Sequence, residues 1–115
     1  MNFNDYQDFA LNTATYPQIG ENLVYPAMGC AGEGGEFCDK AKKYWRNTGS
    51  MSALGMQLSP KQKQGLIEEL GDQLWYIAAS ARELGITLEE IVATNISKIT
   101  DRRARGVVKG EGDNR

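Results

Sequence analysis

The sequence of 115 residues contains no histidine, and this absence narrows its chemistry sharply. Without an imidazole, the Ser-His-Asp and Cys-His arrangements of nucleophilic catalysis are excluded in their usual forms. The Glu-x-x-His pairs of ferritin-like di-iron bundles are excluded as well. Any metal ion bound by this chain must be held by oxygen, and oxygen ligands favour magnesium or manganese.

Cysteine and long apolar runs are also scarce. The two cysteines, Cys30 and Cys38, cannot form a disulfide framework and lack the further ligands of a zinc site, so we expect two small buried side chains. No apolar run approaches the ~20 residues that cross a bilayer. The N-terminal segment MNFNDYQDF carries acids where a secretion signal carries basic residues. We therefore expect a cytoplasmic protein with no membrane partner.

Positive charge is sparse in most of the chain and concentrated at its end. Residues 1–97 carry 7 basic and 12 acidic side chains, whereas residues 98–115 carry 6 basic and 3 acidic ones. A protein that binds duplex nucleic acid needs a broad basic surface, so no stable nucleic-acid partner is expected. An acidic body with a basic tail suits a site that holds both a cation and a phosphate.

Hydrophobic periodicity predicts a single all-α domain with four helices and no strand. The first helix is expected over about residues 3–14. The second is expected over about residues 21–47, where Pro26 indicates that the regular helix begins late. Residues 48–58, rich in glycine, serine and methionine, are predicted to form a loop.

The second half of the chain carries clearer boundary signals. Ser59-Pro60 is a helix cap followed by proline at the first helical position, and it predicts a third helix that ends near residue 84. Thr87 begins a capping box for a fourth helix over about residues 88–103.

Two pairs of carboxylates have a spacing that places both members on one helix face. Glu33 and Glu36 are three residues apart on the second predicted helix, and Glu69 and Asp72 are three apart on the third. Residues at i and i+3 have Cβ atoms ~5–6 Å apart. If the two helices pack antiparallel, all four carboxylates converge and a hard divalent cation relieves their repulsion. The alternative is that these acids are solvated surface residues.

The third predicted helix is apolar on two sides, which favours an acidic cleft between helices. The face that bears Glu69 and Asp72 also carries Tyr76 and Ala79, with Trp75 beside it. A freely solvated face rarely has this composition. The expected core stripe lies on another side and consists of Ile67, Leu70, Leu74, Ile77, Ala81 and Leu84.

Three glycines surround the first acidic pair, although each glycine in a helix interior costs roughly 1 kcal/mol relative to alanine. We expect Gly32 and Gly35 to leave room for a neighbouring helix and a ligand beside the backbone. Gly34 fits this explanation least, and we expect alanine to be tolerated there.

Basic and amide side chains accompany the carboxylates. Lys40 follows Glu36 by four residues, so an ordinary pair within the helix is one possibility. Asn95, Lys98 and Arg102 lie on one line of the fourth predicted helix. Asn95 either makes a hydrogen bond between packed helices or contacts a ligand beside basic groups suited to phosphate.

In the contexts AGEGGEFCDKAKK and EELGDQLWYIAASARELGITLEEI, the two acidic pairs closely resemble the MazG-like all-α nucleoside triphosphate pyrophosphohydrolases. The similarity extends through NISKITDRR and KGEGDNR and covers residues 3–115. The 32 residues between the pairs are on the long side for the family, and Gly34 stands where its members more often have alanine. The resemblance implies a four-helix fold that completes a helical bundle with a second subunit, as a homodimer or homotetramer.

The resemblance also implies an enzyme that hydrolyses a nucleoside or deoxynucleoside triphosphate to a monophosphate and pyrophosphate. By that likeness Glu36 or Glu69 helps to deprotonate the attacking water. The expected ligands of Mg²⁺, for which Mn²⁺ can substitute, are Glu33, Glu36, Glu69 and Asp72. The residues expected to contact the nucleotide are Lys43, Trp45, Tyr76, Asn95, Lys98 and Arg102.

Several alternatives stay open. Trp45 and Trp75 can equally serve packing within or between subunits. The catalytic domain is expected to span residues 1–103, with residues 104–115 forming an irregular basic tail at the nucleotide site. A helical interaction module without catalysis is one rival function, and a phosphohydrolase that acts on another bond or on an alarmone is a second.

Overall fold

The computed structural model describes residues 1–115, and the chain is all-α, as its sequence predicts. The short α3 lies in the segment predicted as a loop, where the Ser52 hydroxyl accepts a hydrogen bond from the Gly55 amide at 3.0 Å. The four long helices correspond to the four predicted ones. In chain order the helices are α1 (Phe3–Asn12), α2 (Val24–Thr48), α3 (Ala53–Met56), α4 (Pro60–Glu83) and α5 (Leu88–Ala104).

The helix boundaries follow from the capping signals in the sequence. Ser59 and Gln62 exchange the two hydrogen bonds of a capping box at the start of α4, and Thr87 and Glu90 do the same for α5. Gly85 has a φ of +70°, a left-handed conformation that ends α4 and that glycine adopts without strain. These signals are local, so the sequence alone specifies them.

Helices α2 and α4 form the central pair of the fold and run antiparallel. Gly29 near the start of α2 faces Tyr76 in the second half of α4, whereas Lys40 further along α2 faces Gly65 near the start of α4. Helix α1 packs against α4, and α5 packs against α1 and α4 but makes no contact with α2.

The buried core is small and lies on one side of α4. Ala10, Ala78 and Leu88 form its centre, flanked by Tyr6, Trp75 and Ile91. Small side chains at this point let α1 and α5 approach α4 closely. The core therefore joins α1, α4 and the start of α5.

The expectation that the apolar stripe of α4 forms the core of the chain is wrong. Ala81 is buried, but the other members of the stripe keep 37% to 57% of their surface exposed. The rest of the chain covers this stripe only in part: α3 lines a cavity beside Ile67 and Leu70, and the start of α1 lines another beside Leu74. We call the exposed residues the outer stripe of α4: Ile67, Leu70, Leu74, Ile77 and Leu84.

The single chain has a larger surface than a compact domain of its size. Its radius of gyration is 17.0 Å, against about 13 Å expected for this length. Its accessible surface is 8270 Å², against about 6,200 Å² expected for this mass. The excess of roughly 2,000 Å² includes the outer stripe of α4.

Two further expectations concern cysteines and membranes. Cys30 is partly buried and Cys38 is exposed, and both are free thiols. The prediction of two buried cysteines is therefore wrong for Cys38, because no other helix covers that side of α2. None of the helices combines the length and the apolar character needed to span a bilayer.

Candidate active site

The central helix pair brings three acidic side chains together. Glu33 of α2 and Glu69 and Asp72 of α4 each offer one carboxylate oxygen, and these oxygens all lie within 4.8 Å of one another. The i and i+3 spacing on α4 places Glu69 and Asp72 on one face, and the antiparallel packing places Glu33 opposite them. Glu33 and Glu69 are partly buried, whereas Asp72 is exposed.

Crowded negative charge shapes the electrostatics of this cluster. Partial burial raises the pKa of the Glu33 carboxyl, and the charges of Asp72, Glu69 and Glu36 and a hydrogen bond with Glu69 raise it further. A divalent cation among these oxygens would neutralise the charge that now disfavours ionised Glu33. Three carboxylate oxygens without nitrogen or sulfur ligands form a donor set that fits Mg²⁺ or Mn²⁺.

Glu36 lies outside the group of three converging oxygens. It stands one turn further along α2 than Glu33, and its side chain is exposed. Its charge still contributes to the raised pKa of Glu33, so the two carboxylates are within electrostatic reach of each other. The structure thus brings together three of the four expected metal ligands and leaves the fourth beside them.

Lys40 forms an ion pair across the cleft. Its Nζ atom lies 2.5 Å from Oε1 of Glu69 and donates a longer hydrogen bond, 3.4 Å, to the Gly65 carbonyl. The alternative pair with Glu36 within α2 is not formed. The hydrogen bond to Glu69 raises the pKa of the Lys40 ammonium, which therefore remains charged at neutral pH.

An aromatic wall adjoins the carboxylates. One cavity of about 390 Å³ is lined by both acids and aromatic rings: Thr13, Glu33, Asp72, Trp75 and Tyr76. The Trp75 indole Nε1 donates a 2.9 Å hydrogen bond to the Thr13 hydroxyl, which fixes the ring. The Trp75 and Tyr76 rings meet edge to face at 5.0 Å.

The chain segment before α2 supports this wall. Tyr16 stacks on Tyr25 with ring centroids 5.3 Å apart, and Tyr25 lies beside Tyr76 at 6.5 Å. The Glu83 carboxylate accepts hydrogen bonds from the Tyr16 hydroxyl and from the amides of Gly20 and Asn22. These bonds, the one from Tyr16 foremost, lower the pKa of Glu83.

Sequence reasoning missed Thr13, Gly29 and Glu83. At Gly29 the Tyr76 side chain of α4 lies close against the backbone of α2, since an added Cβ would lie 2.3 Å from carbons of the Tyr76 ring. Glu83 is separated by more than 60 residues from the segment that it binds. Local sequence patterns carry no signal for contacts of this range.

Gly32 and Gly35, beside the first acidic pair, do not have the role that the sequence suggested. A Cβ on Gly32 or Gly35 would meet nothing within 4 Å, so neither glycine admits a neighbouring helix of the same chain. The expected close approach occurs at Gly29 instead. A Cβ on Gly34 would lie 3.4 Å from the flexible amide of Gln73, an ordinary contact.

Other candidate residues lie away from the acidic cavity in the single chain. Lys43 pairs with Asp39 at 2.6 Å on its own helix. Asn95 and Lys98 line a separate cavity of about 350 Å³ beside α5. Trp45 is exposed near the end of α2 and does not line the acidic cavity.

Arg102 is occupied by the C-terminal tail. Its guanidinium group is buried and donates a 2.8 Å hydrogen bond to the Asp113 carbonyl. Arg115 in turn donates to the carbonyls of Val107 and Val108, so the tail curls back on itself as a series of turns. The tail forms no regular helix, and its contacts lie within the chain.

The fold and the site place the chain in one class of protein, the all-α proteins that hold a carboxylate cluster between two antiparallel helices. The MazG nucleotide pyrophosphohydrolase domain matches residues 27–107, and the chain belongs to this family. The match confirms the resemblance seen in the sequence and indicates an enzyme of the nucleotide pyrophosphohydrolase kind.

One similar protein is the "Gene 37 protein" of Mycobacterium phage L5, which is 37% identical over 120 residues. The alignment covers 100% of both chains. No solved structure matches the chain significantly.

Proposed function

We propose that the protein is a magnesium-dependent nucleoside triphosphate pyrophosphohydrolase that converts an NTP or dNTP to the monophosphate and pyrophosphate. The observation that carries this proposal is the convergence of carboxylate oxygens from Glu33, Glu69 and Asp72 within 4.8 Å, in a chain of the MazG family. A catalytically silent helical module has no use for acids held together in this way, because their repulsion lowers stability.

In the proposed site the carboxylates of α2 and α4 hold the cation. Glu36, exposed on the next turn of α2, can join the other three by rotating its side chain. A bound Mg²⁺ would neutralise phosphate charge and make a water molecule more acidic. A carboxylate oxygen of Glu36 or Glu69 accepts the proton of the water that attacks the α-phosphorus, and pyrophosphate leaves.

The aromatic wall is the proposed place of the nucleoside. Trp75 and Tyr76 offer ring surfaces against which a base or sugar can pack, and the Thr13 hydroxyl holds Trp75 in position. The phosphates of the nucleotide would then extend towards Glu33 and Asp72, which line the same cavity. Because the cavity is open, it can accept a nucleotide but does not determine which base is preferred.

A second copy of the chain is the proposed cover of the outer stripe of α4. The excess surface of roughly 2,000 Å² is sufficient for a stable homodimer, whose interfaces bury about 2,000 Å² or more in total. The exposed apolar residues of α5, Ile96 and Ile99, extend the same kind of surface. A homodimer, or a homotetramer built from two such dimers, is therefore the proposed assembly.

A second copy would also account for the position of Asn95 and Lys98, the residues of α5 that are expected to contact the nucleotide. Helix α5 does not contact α2, so Asn95 and Lys98 cannot reach the carboxylate cluster of their own chain without rearrangement. Across a dimer interface they can approach the cluster of the partner and bind phosphate there. Lys43 lies two turns beyond Glu36 on α2 and can contribute from within the chain once it leaves Asp39. The proposed compartment is the cytoplasm, where nucleoside triphosphates and magnesium occur together.

Product identification tests this function. The purified protein is incubated with Mg²⁺ and a panel of NTPs and dNTPs, and the products are separated chromatographically, with EDTA as the control. Monophosphate with pyrophosphate supports the proposal, and a diphosphate with phosphate indicates cleavage of another bond. No turnover of any nucleotide with Mg²⁺ or Mn²⁺ would contradict an enzymatic function and favour the interaction module.

A further inference from the structure

We propose that Lys40 is a built-in counter-ion of the carboxylate cluster, which holds Glu69 in the metal-free protein and competes with a divalent cation for it. This inference rests on the metal site proposed above and assigns a role to a residue outside the expected ligand set. Lys40 acts through Glu69, so it is a positioning residue.

The geometry of Lys40 differs from that of its neighbours. Lys42 and Lys43 pair with Asp39 on their own helix, at 3.1 Å and 2.6 Å. Lys40 reaches from α2 to α4 and approaches Oε1 of Glu69 at 2.5 Å, the one ion pair in the structure that joins two helices. The side chains of Glu69 and Lys40 are 13% and 33% exposed, so the pair is partly shielded from water.

The charge of the cluster explains why such a counter-ion is needed. Three carboxylates converge within 4.8 Å, and their mutual repulsion opposes the packing of α2 on α4. The Lys40 ammonium offsets one of these charges from the edge of the cluster. It thereby keeps the two halves of the site assembled before any metal binds.

The same ammonium opposes metal binding. A divalent cation needs the oxygen lone pairs of Glu69, one of which Lys40 occupies, and two positive charges side by side repel. The Gly65 carbonyl at 3.4 Å gives Lys40 a second acceptor, so the ammonium stays beside the cluster when Glu69 turns towards a metal. The metal should therefore bind weakly alone and more tightly together with a triphosphate, whose negative charge compensates both cations.

The variant Lys40→Met, which keeps a long apolar side chain and removes the charge, tests this role. Mn²⁺ binding is measured by calorimetry without nucleotide, and thermal unfolding is measured in EDTA. We expect the variant to bind Mn²⁺ about tenfold more tightly, because a unit charge a few ångströms from a divalent cation is removed. We also expect it to unfold at a lower temperature in EDTA, because the carboxylates lose their counter-ion.

Two controls separate charge from packing. Lys42→Met, the same change two residues away, should alter neither measurement, because Lys42 pairs only with Asp39. Lys40→Arg keeps the charge and should bind Mn²⁺ within a few-fold of the wild type. If Lys40→Arg binds Mn²⁺ as tightly as Lys40→Met does, the charge of Lys40 is not the cause of weak binding, and the proposal is overturned.

The outcomes distinguish this inference from the proposed function. If neither the wild type nor Lys40→Met binds Mn²⁺ or Mg²⁺, the metal site itself is wrong and the role of Lys40 is wrong with it. If the wild type binds metal and Lys40→Met binds it equally or more weakly, only the role of Lys40 is wrong.

Discussion

The phenol ring of Tyr76 lies directly against the backbone of Gly29, at a point where a Cβ atom would be 2.3 Å from two ring carbons. Glu33 follows Gly29 by four residues, and Asp72 precedes Tyr76 by four, so both acids stand one helical turn from this contact. The close approach at Gly29 therefore sets the separation of the helices at the carboxylate cluster.

Gly29→Ala should destabilise the protein, because the added methyl group must push Tyr76 or the whole of α2 aside. Overpacking of this kind costs about 1–3 kcal/mol, which urea unfolding resolves as a lower midpoint. Gly34→Ala is the matched control on the same helix and should stabilise by up to about 1 kcal/mol, because its methyl group meets only the Gln73 amide. Equal stability of Gly29→Ala and the wild type would contradict the close approach.

Glu69→Gln should fold normally and lose turnover by about a hundredfold or more, because it removes a charged oxygen from the proposed ligand and proton-acceptor set. The measurement is pyrophosphate release at saturating nucleotide, with circular dichroism to verify the helices. Glu68→Gln is the control, since Glu68 is exposed on the adjacent position of α4. Retained turnover in Glu69→Gln would remove Glu69 from the active site.

Glu83→Gln should lower the unfolding temperature at neutral pH, and the difference from the wild type should shrink in acid. Hydrogen bonds from Tyr16, Gly20 and Asn22 hold the pKa of Glu83 below its ordinary value of 4.5. This stabilisation is present above pH 4.5 and is lost as the pH falls through the lowered pKa of the folded protein. Thermal unfolding followed from pH 7 to pH 3 measures the effect.

The hydrogen bond between Tyr16 and Glu83 is also lost at alkaline pH, where the Tyr16 hydroxyl ionises. Burial and the bond to Glu83 raise the pKa of Tyr16 from 10.0 to about 12, so its contribution is present below pH 10 and lost as the pH approaches 12.

Glu21→Gln, a change at an exposed acid of the same segment, should leave the unfolding temperature unchanged. A constant difference between Glu83→Gln and the wild type across the acid range would contradict the assigned cause.

Ile77→Asp should convert the proposed oligomer to monomers, because it places a charge in the outer stripe of α4. Light scattering after size-exclusion chromatography gives the mass directly. Ile77→Leu, which conserves volume and hydrophobicity, should keep the wild-type mass. A wild type that is monomeric at micromolar concentration would contradict the proposed second copy.

Mixed oligomers test whether Lys98 acts in the site of the partner. Glu69→Gln and Lys98→Ala should each have little activity alone. Co-refolded together, they should recover about a quarter of wild-type activity, because half the dimers of a random mixture are mixed and one of their two sites is intact. No recovery, with mixed dimers demonstrated by a tag on one variant, would place Lys98 outside the partner's site.

The sequence predicted the features that depend on short-range patterns. The caps at Ser59 and Thr87 are local hydrogen-bond motifs, and they locate the starts of α4 and α5. The spacing of Glu69 and Asp72 likewise places both on one helix face. Antiparallel packing of α2 and α4 was a condition of the predicted convergence, and the structure meets this condition.

Features that depend on distant parts of the chain were not predictable in this way. Periodicity indicated two apolar sides of α4 but not which of them the chain itself covers, so Leu70 and Ile77 were assigned to the core and are exposed. The packing of α1 and α2 on α4 leaves both residues partly exposed, and this packing depends on contacts between distant parts of the chain. Lys40 illustrates the same limit, since a partner four residues away was available in sequence and a partner on another helix is bound.

The two faces of α4 have a consequence for how the gene can change. Glu69 belongs to the acidic cluster and Leu70 to the outer stripe, although they are adjacent in sequence. Each residue of an α-helix is rotated by about 100° from the one before it. A deletion of one codon just before Asp72 would shift each following residue into the place of the one before it, so Gln73 and Ile77 would take the positions of Asp72 and Tyr76. Lineages of this protein should accordingly vary in length in the segment between α2 and α4 and keep the length of α4 itself constant.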